Sequence, residues 1–167
     1  MIDYRATEKL VVYGLQAWLK SKGHEIPVIA ANQTAPIPDG AYLSYTITTP
    51  VVANMKGYAI AEDGARYKAL EQVWSFTSHS TDDVEAFDIA MLAYDWFALA
   101  GNTYLSDNDI VAQRVGNIAN RDNLLTIDYE YRRGFDVEFL LLHVIAKEDC
   151  ETAGYIESID IPNLGEV

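Results

Sequence analysis

Histidines, paired acids and a lone cysteine are the side chains here whose types could do chemistry. His24, His79 and His143 could bind a metal or carry a proton, but none falls at a metal-ligand spacing such as HExxH. Each is read as a buried or surface histidine without a ligand. Asp107-Asn108-Asp109 opens like a calcium loop. The glycine required at the sixth position is absent, however, and Ile118 stands where a bidentate Glu belongs. Gly14, Gly57 and Gly64 are isolated, so no phosphate cradle forms. Cys150 lies in KEDCET, where neighbouring acids disfavour the thiolate a nucleophile needs. Glu85 with Asp88, or Asp88 with Asp95, fit the wet face of a helix, whereas acid–base catalysis needs carboxylates set in a cleft. The chain is read as a non-enzyme, with no catalytic, cofactor or metal site.

The polar residues that stand out are Gln33, Glu71, Gln72, Arg132 and Arg133. Both arginines fall in TIDYEYRRGFDVEFLLLHV, residues 126–144. Ile127, Tyr129, Tyr131, Phe135, Val137, Phe139 and Leu141 alternate there with Asp128, Glu130, Arg132, Asp136 and Glu138. This period of two marks a half-buried antiparallel strand. Fully extended it spans roughly 60 Å, against a diameter of about 40 Å for a compact domain of this length. The strand therefore bends, with Gly134 the expected place, or projects beyond the body. Adjacent arginines on a strand point to opposite faces. The one sharing a face with Tyr131 and Phe135 needs a carboxylate or an aromatic partner, either as an interface salt bridge or by snorkelling at the sheet edge.

A helix is expected from Asp3 or Thr7 to about Lys22, with Val11, Leu15, Trp18 and Leu19 as its apolar stripe and Gly23 as its stop. Ile26 to Ala30 is a short apolar run, and Pro36, Pro38 and Gly40 mark a loop. Tyr42 to Thr48 reads as a strand with Leu43, Tyr45 and Ile47 on one face. Residues 49–65 lose all period and are expected to be a long mobile loop or a hairpin tip. Arg66 to His79 alternates as a second long strand. Asp82 with Glu85 resembles a capping box opening a second helix to about Ala100. Its expected main stripe is Val84, Phe87, Met91, Tyr94 and Ala98, widened by Leu92, Trp96 and Leu99. So broadly apolar a helix is expected to be covered on more than one side, by core with or without a partner. Asn102 to Asn108 reads as a turn, Ile110 to Ile118 as a strand, and Tyr155 to Ile161 as a short last strand.

The chain has 167 residues, half of them hydrophobic, which suits one domain over 1–167 with a real core. Residues 150–167 form a C-terminal extension. Twelve Lys and Arg against 25 Asp and Glu give a net charge of −13, which argues against neutralising phosphates on nucleic acid but not against a channel through which DNA slides. A single cysteine suits a reducing compartment, and no basic-then-apolar leader opens the chain. The longest apolar run is far below the roughly 20 residues that cross a bilayer. The expectation is a soluble protein made in the cytosol. The fold expected is α+β, a mixed or mainly antiparallel sheet of long strands flanked by two main helices.

Three segments together resemble the tail terminator (neck terminator) proteins of long-tailed bacteriophages: VIAANQTAPIPDGAYLSYTI (28–47), RYKALEQVWSFTSHSTDDVEAFDIAMLAYDWF (66–97) and NIANRDNLLTIDYEYRRGFDVEFLLL (117–142). With the leading helix they cover about four fifths of the chain. The resemblance implies a virion protein at the tail–neck junction, assembled in the host cytoplasm, with no cofactor and no reaction. Six subunits would close a ring that caps the tail tube, ends its polymerisation and offers the surface that joins the head. Its partners would be its own copies, the tail tube protein and a head-completion protein, with DNA passing unbound through the bore. Gln33, Tyr42, Glu71, Trp74, Arg132, Arg133 and Gly134 are the candidate subunit-interface residues. Alternatives are another neck or tail-completion protein, or a small cytosolic binding module.

Overall fold

The computed structural model describes residues 4–32, 34, 36–52, 58–122 and 130–151. Helix α1 (Tyr4–Ser21) forms where apolar residues recur at helical spacing, and Val11, Leu15 and Leu19 are fully buried along it. Just past its end Gly23 takes φ +91°, the left-handed stop that an L side chain resists.

Among the described residues the chain forms seven strands, the long ones on its period-two segments. They are β1 (Val28–Ala30), β2 (Tyr42–Val52), β3 (Ala59–Ile60), β4 (Arg66–Ser80), β5 (Ile110–Val115), β6 (Ala119–Asn120) and β7 (Tyr131–Ile145). They share one sheet ordered β1-β2-β4-β7-β5, with β3 beside β4 and β6 beside β7. The β1–β2 pair is parallel and every other pair antiparallel, so the sheet is mixed and the fold α+β.

The long pair β4–β7 runs in unbroken register from Arg66↔Ile145 to Ser80↔Tyr131. No bulge interrupts it at Gly134, which pairs in step with Thr77. From Gln72 to Ser78 β4 alternates buried and half-buried positions and Ser78 to Ser80 are all buried, whereas Arg66 to Glu71 are all at least partly exposed. Past the ends of β2 and β5 the sheet continues as an arm made of β3 and the outer ends of β4 and β7. Residues 49–52 complete β2, and Ala61 to Ala65 make the β3–β4 turn, where Gly64 takes φ +86° and Asp63 Oδ1 accepts the Ala65 N–H at 2.9 Å. The described part of 49–65 is therefore ladder and tight turn.

Helix α2 (Asp83–Asp95) opens on Asp82, whose carboxylate accepts the Glu85 N–H at 3.0 Å. The expected capping box is altered. The Glu85 carboxylate accepts from Ser80 Oγ, and Ser80 Oγ in turn accepts the Asp82 N–H at 3.0 Å. The expected apolar stripe is also corrected. The buried side of α2 is Ala86, Ile89, Ala90 and Ala93, while Val84 and Phe87 are 68% and 47% exposed. Small side chains let the helix lie close on the sheet, and the larger ones are turned outward. A π-helical turn (Trp96–Ala100) carries Trp96 and Phe97 into the core, and α3 (Asn102–Ser106) stands where a turn was expected. Trp18 in α1 donates its indole N–H to the Leu92 carbonyl at 3.0 Å, joining the two main helices.

Between helices and sheet, Trp74, Phe76, Phe97, Phe135 and Phe139 form a ring-on-ring core. Phe76 and Phe97 centroids are 4.6 Å apart, and Phe139 meets Trp74 edge-on at 5.4 Å. A short α4 (Lys147–Glu151) follows β7, and the strand expected over Tyr155 to Ile161 lies outside the described residues.

Candidate functional site

Register sorts every long-strand side chain onto one of two faces. Trp74, Phe76, Phe135, Val137, Phe139 and Leu141 point toward the helices and are buried. Ser75, Thr77, Glu138 and Leu140 point the other way and are half-buried, and Asp136 is exposed. Of the polar side chains that sequence alone marks, Glu71 and Arg132 lie on this second, open face, while Gln72 and Arg133 lie on the helix side.

At its centre lies Arg121, from the segment after β6. Its Nη1 donates to Ser75 Oγ at 2.6 Å and Thr77 Oγ1 at 2.9 Å, and its Nη2 to Asp136 Oδ1 at 2.9 Å. A Cβ at Gly134 would lie 2.6 Å from Arg121 Cδ and Nε. The missing side chain at Gly134 admits the guanidinium across the sheet. Burial raises the Asp136 carboxyl, but bonds from Ser75 and Arg121 outweigh it and leave the group below its usual range.

Beside this brace, Tyr42 stacks on His79 with centroids 4.2 Å apart. Ser44 Oγ lies 2.8 Å from His79 Nε2, and Glu130 Oε1 lies 3.4 Å from His79 Nδ1. Glu130 also accepts from Tyr42 Oη at 3.3 Å and from Arg132 Nε at 2.7 Å. Burial pushes the His79 imidazole below its ordinary range, and Glu130 offsets this only in part. Burial pushes Glu130 up, yet Arg132 and His79 together hold it below the usual carboxylate range. A cavity of about 240 Å³ reaches these groups between Ile29, Ala30 and Ile37.

The order serine–histidine–carboxylate is that of a nucleophile relay. Its surroundings do not suit that chemistry. The backbone group within reach of Ser44 Oγ is the Thr77 carbonyl at 3.3 Å, an acceptor, where a developing oxyanion needs N–H donors. Tyr42, Ser44, His79, Glu130 and Arg132 instead pin β2 and β4 to the start of β7. Among the described residues, no group of three or more His, Cys, Asp or Glu is placed to hold a metal ion.

Arg133 points to the helix side. Its guanidinium bonds Asp122 Oδ1 at 2.6 Å and pairs with Asp83 at the start of α2. It also lies over the Tyr131 ring at 5.9 Å. Both carboxylate and aromatic partners expected for this arginine are therefore supplied within the chain. Of the candidate interface residues, Tyr42 and Arg132 come together through Glu130, while Arg133 and Gly134 are neighbours on opposite faces. Glu71 sits apart, opposite Leu140 and Val52 where the arm begins. Trp74 corrects its assignment: it is 1% exposed and donates its indole N–H to Gln72 Oε1 at 2.9 Å, so it packs the core and offers no contact surface. Gln33 lies outside the described residues. Sequence reasoning missed Arg121, Ser44, His79 and Glu130 as partners. A glycine in the middle of a strand was the available signal, because it marks a close approach.

A sheet covered by helices on one face, with strands that outrun their neighbours and polar groups tied to one another, is the build of a structural α+β subunit. The chain matches the phage neck terminator protein family over residues 9–166 and belongs to that family. That is a structural family of the phage neck, so the protein is a virion component of the tail–neck region. No curated protein matches the chain. One solved structure with 11% sequence identity covers 80% of this chain and 94% of its own, at a TM-score of 0.36, a likeness that carries no argument. No described helix is long and apolar enough to cross a membrane.

Proposed function

We propose that six copies of this protein, each folded as one domain, close a ring on the finished tail tube, stop its polymerisation and present the surface to which the head attaches. The observation that carries this reading is the arm, β3 and the outer ends of β4 and β7 running past the ends of β2 and β5 in a neck-family subunit. A lone domain gains little from strands that leave its core. A subunit gains a surface for its neighbours, and a ring needs contacts between two different surfaces that return on themselves. The net charge of −13 supports passage of DNA through the bore without capture. The tail tube protein and a head-completion protein are the neighbours above and below.

Infection by phage lacking the protein tests this reading. Overlong tails, or heads and tails that fail to join, are the expected result. Tails of normal length already joined to heads would assign the chain to another task in the neck.

A further inference from the structure

We infer that the ring is closed by heterologous docking of two surfaces of this chain: the helix-side face of the arm on one copy and the outer ridge of α2 on the next. The inference rests on the ring reading above and names the contact that would make it.

The ridge is the side of α2 turned from the core. Val84 and Phe87 are 68% and 47% exposed there, with half-buried Met91 one turn on. An ordinary surface helix turns its large apolar residues inward and its polar ones outward. In α2 the core side is Ala86, Ile89, Ala90 and Ala93, and the outward side keeps the valine, the phenylalanine and the acids Asp88 and Asp95. A ridge with large exposed apolar groups and only acidic charges beside them fits a partner that is apolar and basic.

The arm supplies such a face. Register places Ile60, Arg66 and Ile145 in one cross-strand row, and Lys68 with His143 in the next. Both rows lie on the face of the sheet that carries Trp74 and Phe139, past the ends of β2 and β5. Ile60 is 65% exposed and Ile145 37%, and no acid falls in either row. The two surfaces differ from one another and sit on different parts of the subunit, so pairing them joins copies head to tail, the geometry that generates rings.

The test is a charge swap in the full-length chain, read by native mass and by binding to purified tail tubes. Lys68→Glu and Asp88→Lys each place like charges across the contact, and each is expected to weaken self-association roughly tenfold or more. The double variant restores opposite charges and is expected to recover assembly. Circular dichroism of the three variants checks that each remains folded. Single variants that assemble as the wild type does, or single losses that the double variant fails to rescue, overturn this docking while leaving the ring in place. A wild-type chain that self-associates neither alone nor on tubes removes the ring reading, and the docking with it.

Discussion

Replacing Gly134 with alanine isolates the brace across the open face. The new methyl group would sit 2.6 Å from Arg121 Cδ and Nε, well inside contact distance, so the guanidinium must leave its seat. It then loses its bonds to Ser75 Oγ, Thr77 Oγ1 and Asp136 Oδ1. A hydrogen bond from a charged donor contributes about 1.5 kcal/mol net at the low end of its range, and the pair with the half-exposed Asp136 below about 1 kcal/mol. Against a loss near 3 kcal/mol, alanine in a strand regains roughly 0.5–1 kcal/mol of backbone entropy. The expected destabilisation is about 2 kcal/mol, measured by urea unfolding with the slope of the transition unchanged. The decisive comparison is with Arg121→Ala, which removes the obstructed group. In that background Gly134→Ala should be neutral or slightly stabilising, giving a coupling of about 2–3 kcal/mol. Equal losses in both backgrounds would refute the reasoning, since the glycine would then serve the backbone and not the arginine.

Asp82→Ala should cost about 1 kcal/mol by removing the acceptor for the Glu85 N–H, read as a lower urea midpoint, while Asp82→Ser should keep most of it. Arg133→Met should cost about 1–2 kcal/mol, because it removes the guanidinium from Asp122, which keeps the Arg132 N–H, and frees α2 from its tie at Asp83. Replacing both Arg133 and Asp122 should cost less than the sum of the single changes. His79 predicts a pH dependence. Its folded pKa lies below the unfolded value, so the unfolded chain takes up the proton first as pH falls. Stability is then lost as pH drops through about 6.5 toward the lower folded value. His79→Gln should flatten the stability profile between about pH 7 and 5, and an unchanged slope there would show that burial does not hold the imidazole neutral.

Strong period-two and period-3.6 patterns made the long strands and α1 legible in the sequence. Tyr131 to Leu141 and Val73 to His79 alternate cleanly, and Val11, Leu15 and Leu19 fall on one stripe. The orientation of α2 was not legible. A stripe of Val84, Phe87 and Met91 outweighs one of Ala86, Ala90 and Ala93 in hydrophobicity, yet close packing on a sheet favours small side chains. The two-residue strands β3 and β6 are too short to show a period, and pairing with long neighbours creates them. The candidate site was half legible. Arg132, Arg133 and Gly134 stand out locally, but their partners Glu130, Asp122, Asp83 and Arg121 were not linked to them. Asp83 and the segment at 120–122 become neighbours of β7 only through the sheet. Ser44 and His79 are separated by 35 positions and meet by register alone.

Electron microscopy of purified tail tubes mixed with the protein tests the central claim most directly. The account predicts one ring of six subunits at a single end of each tube, and no further growth from that end when tube protein is added. Tubes that keep growing from both ends, or protein bound along their sides with no terminal ring, would contradict it.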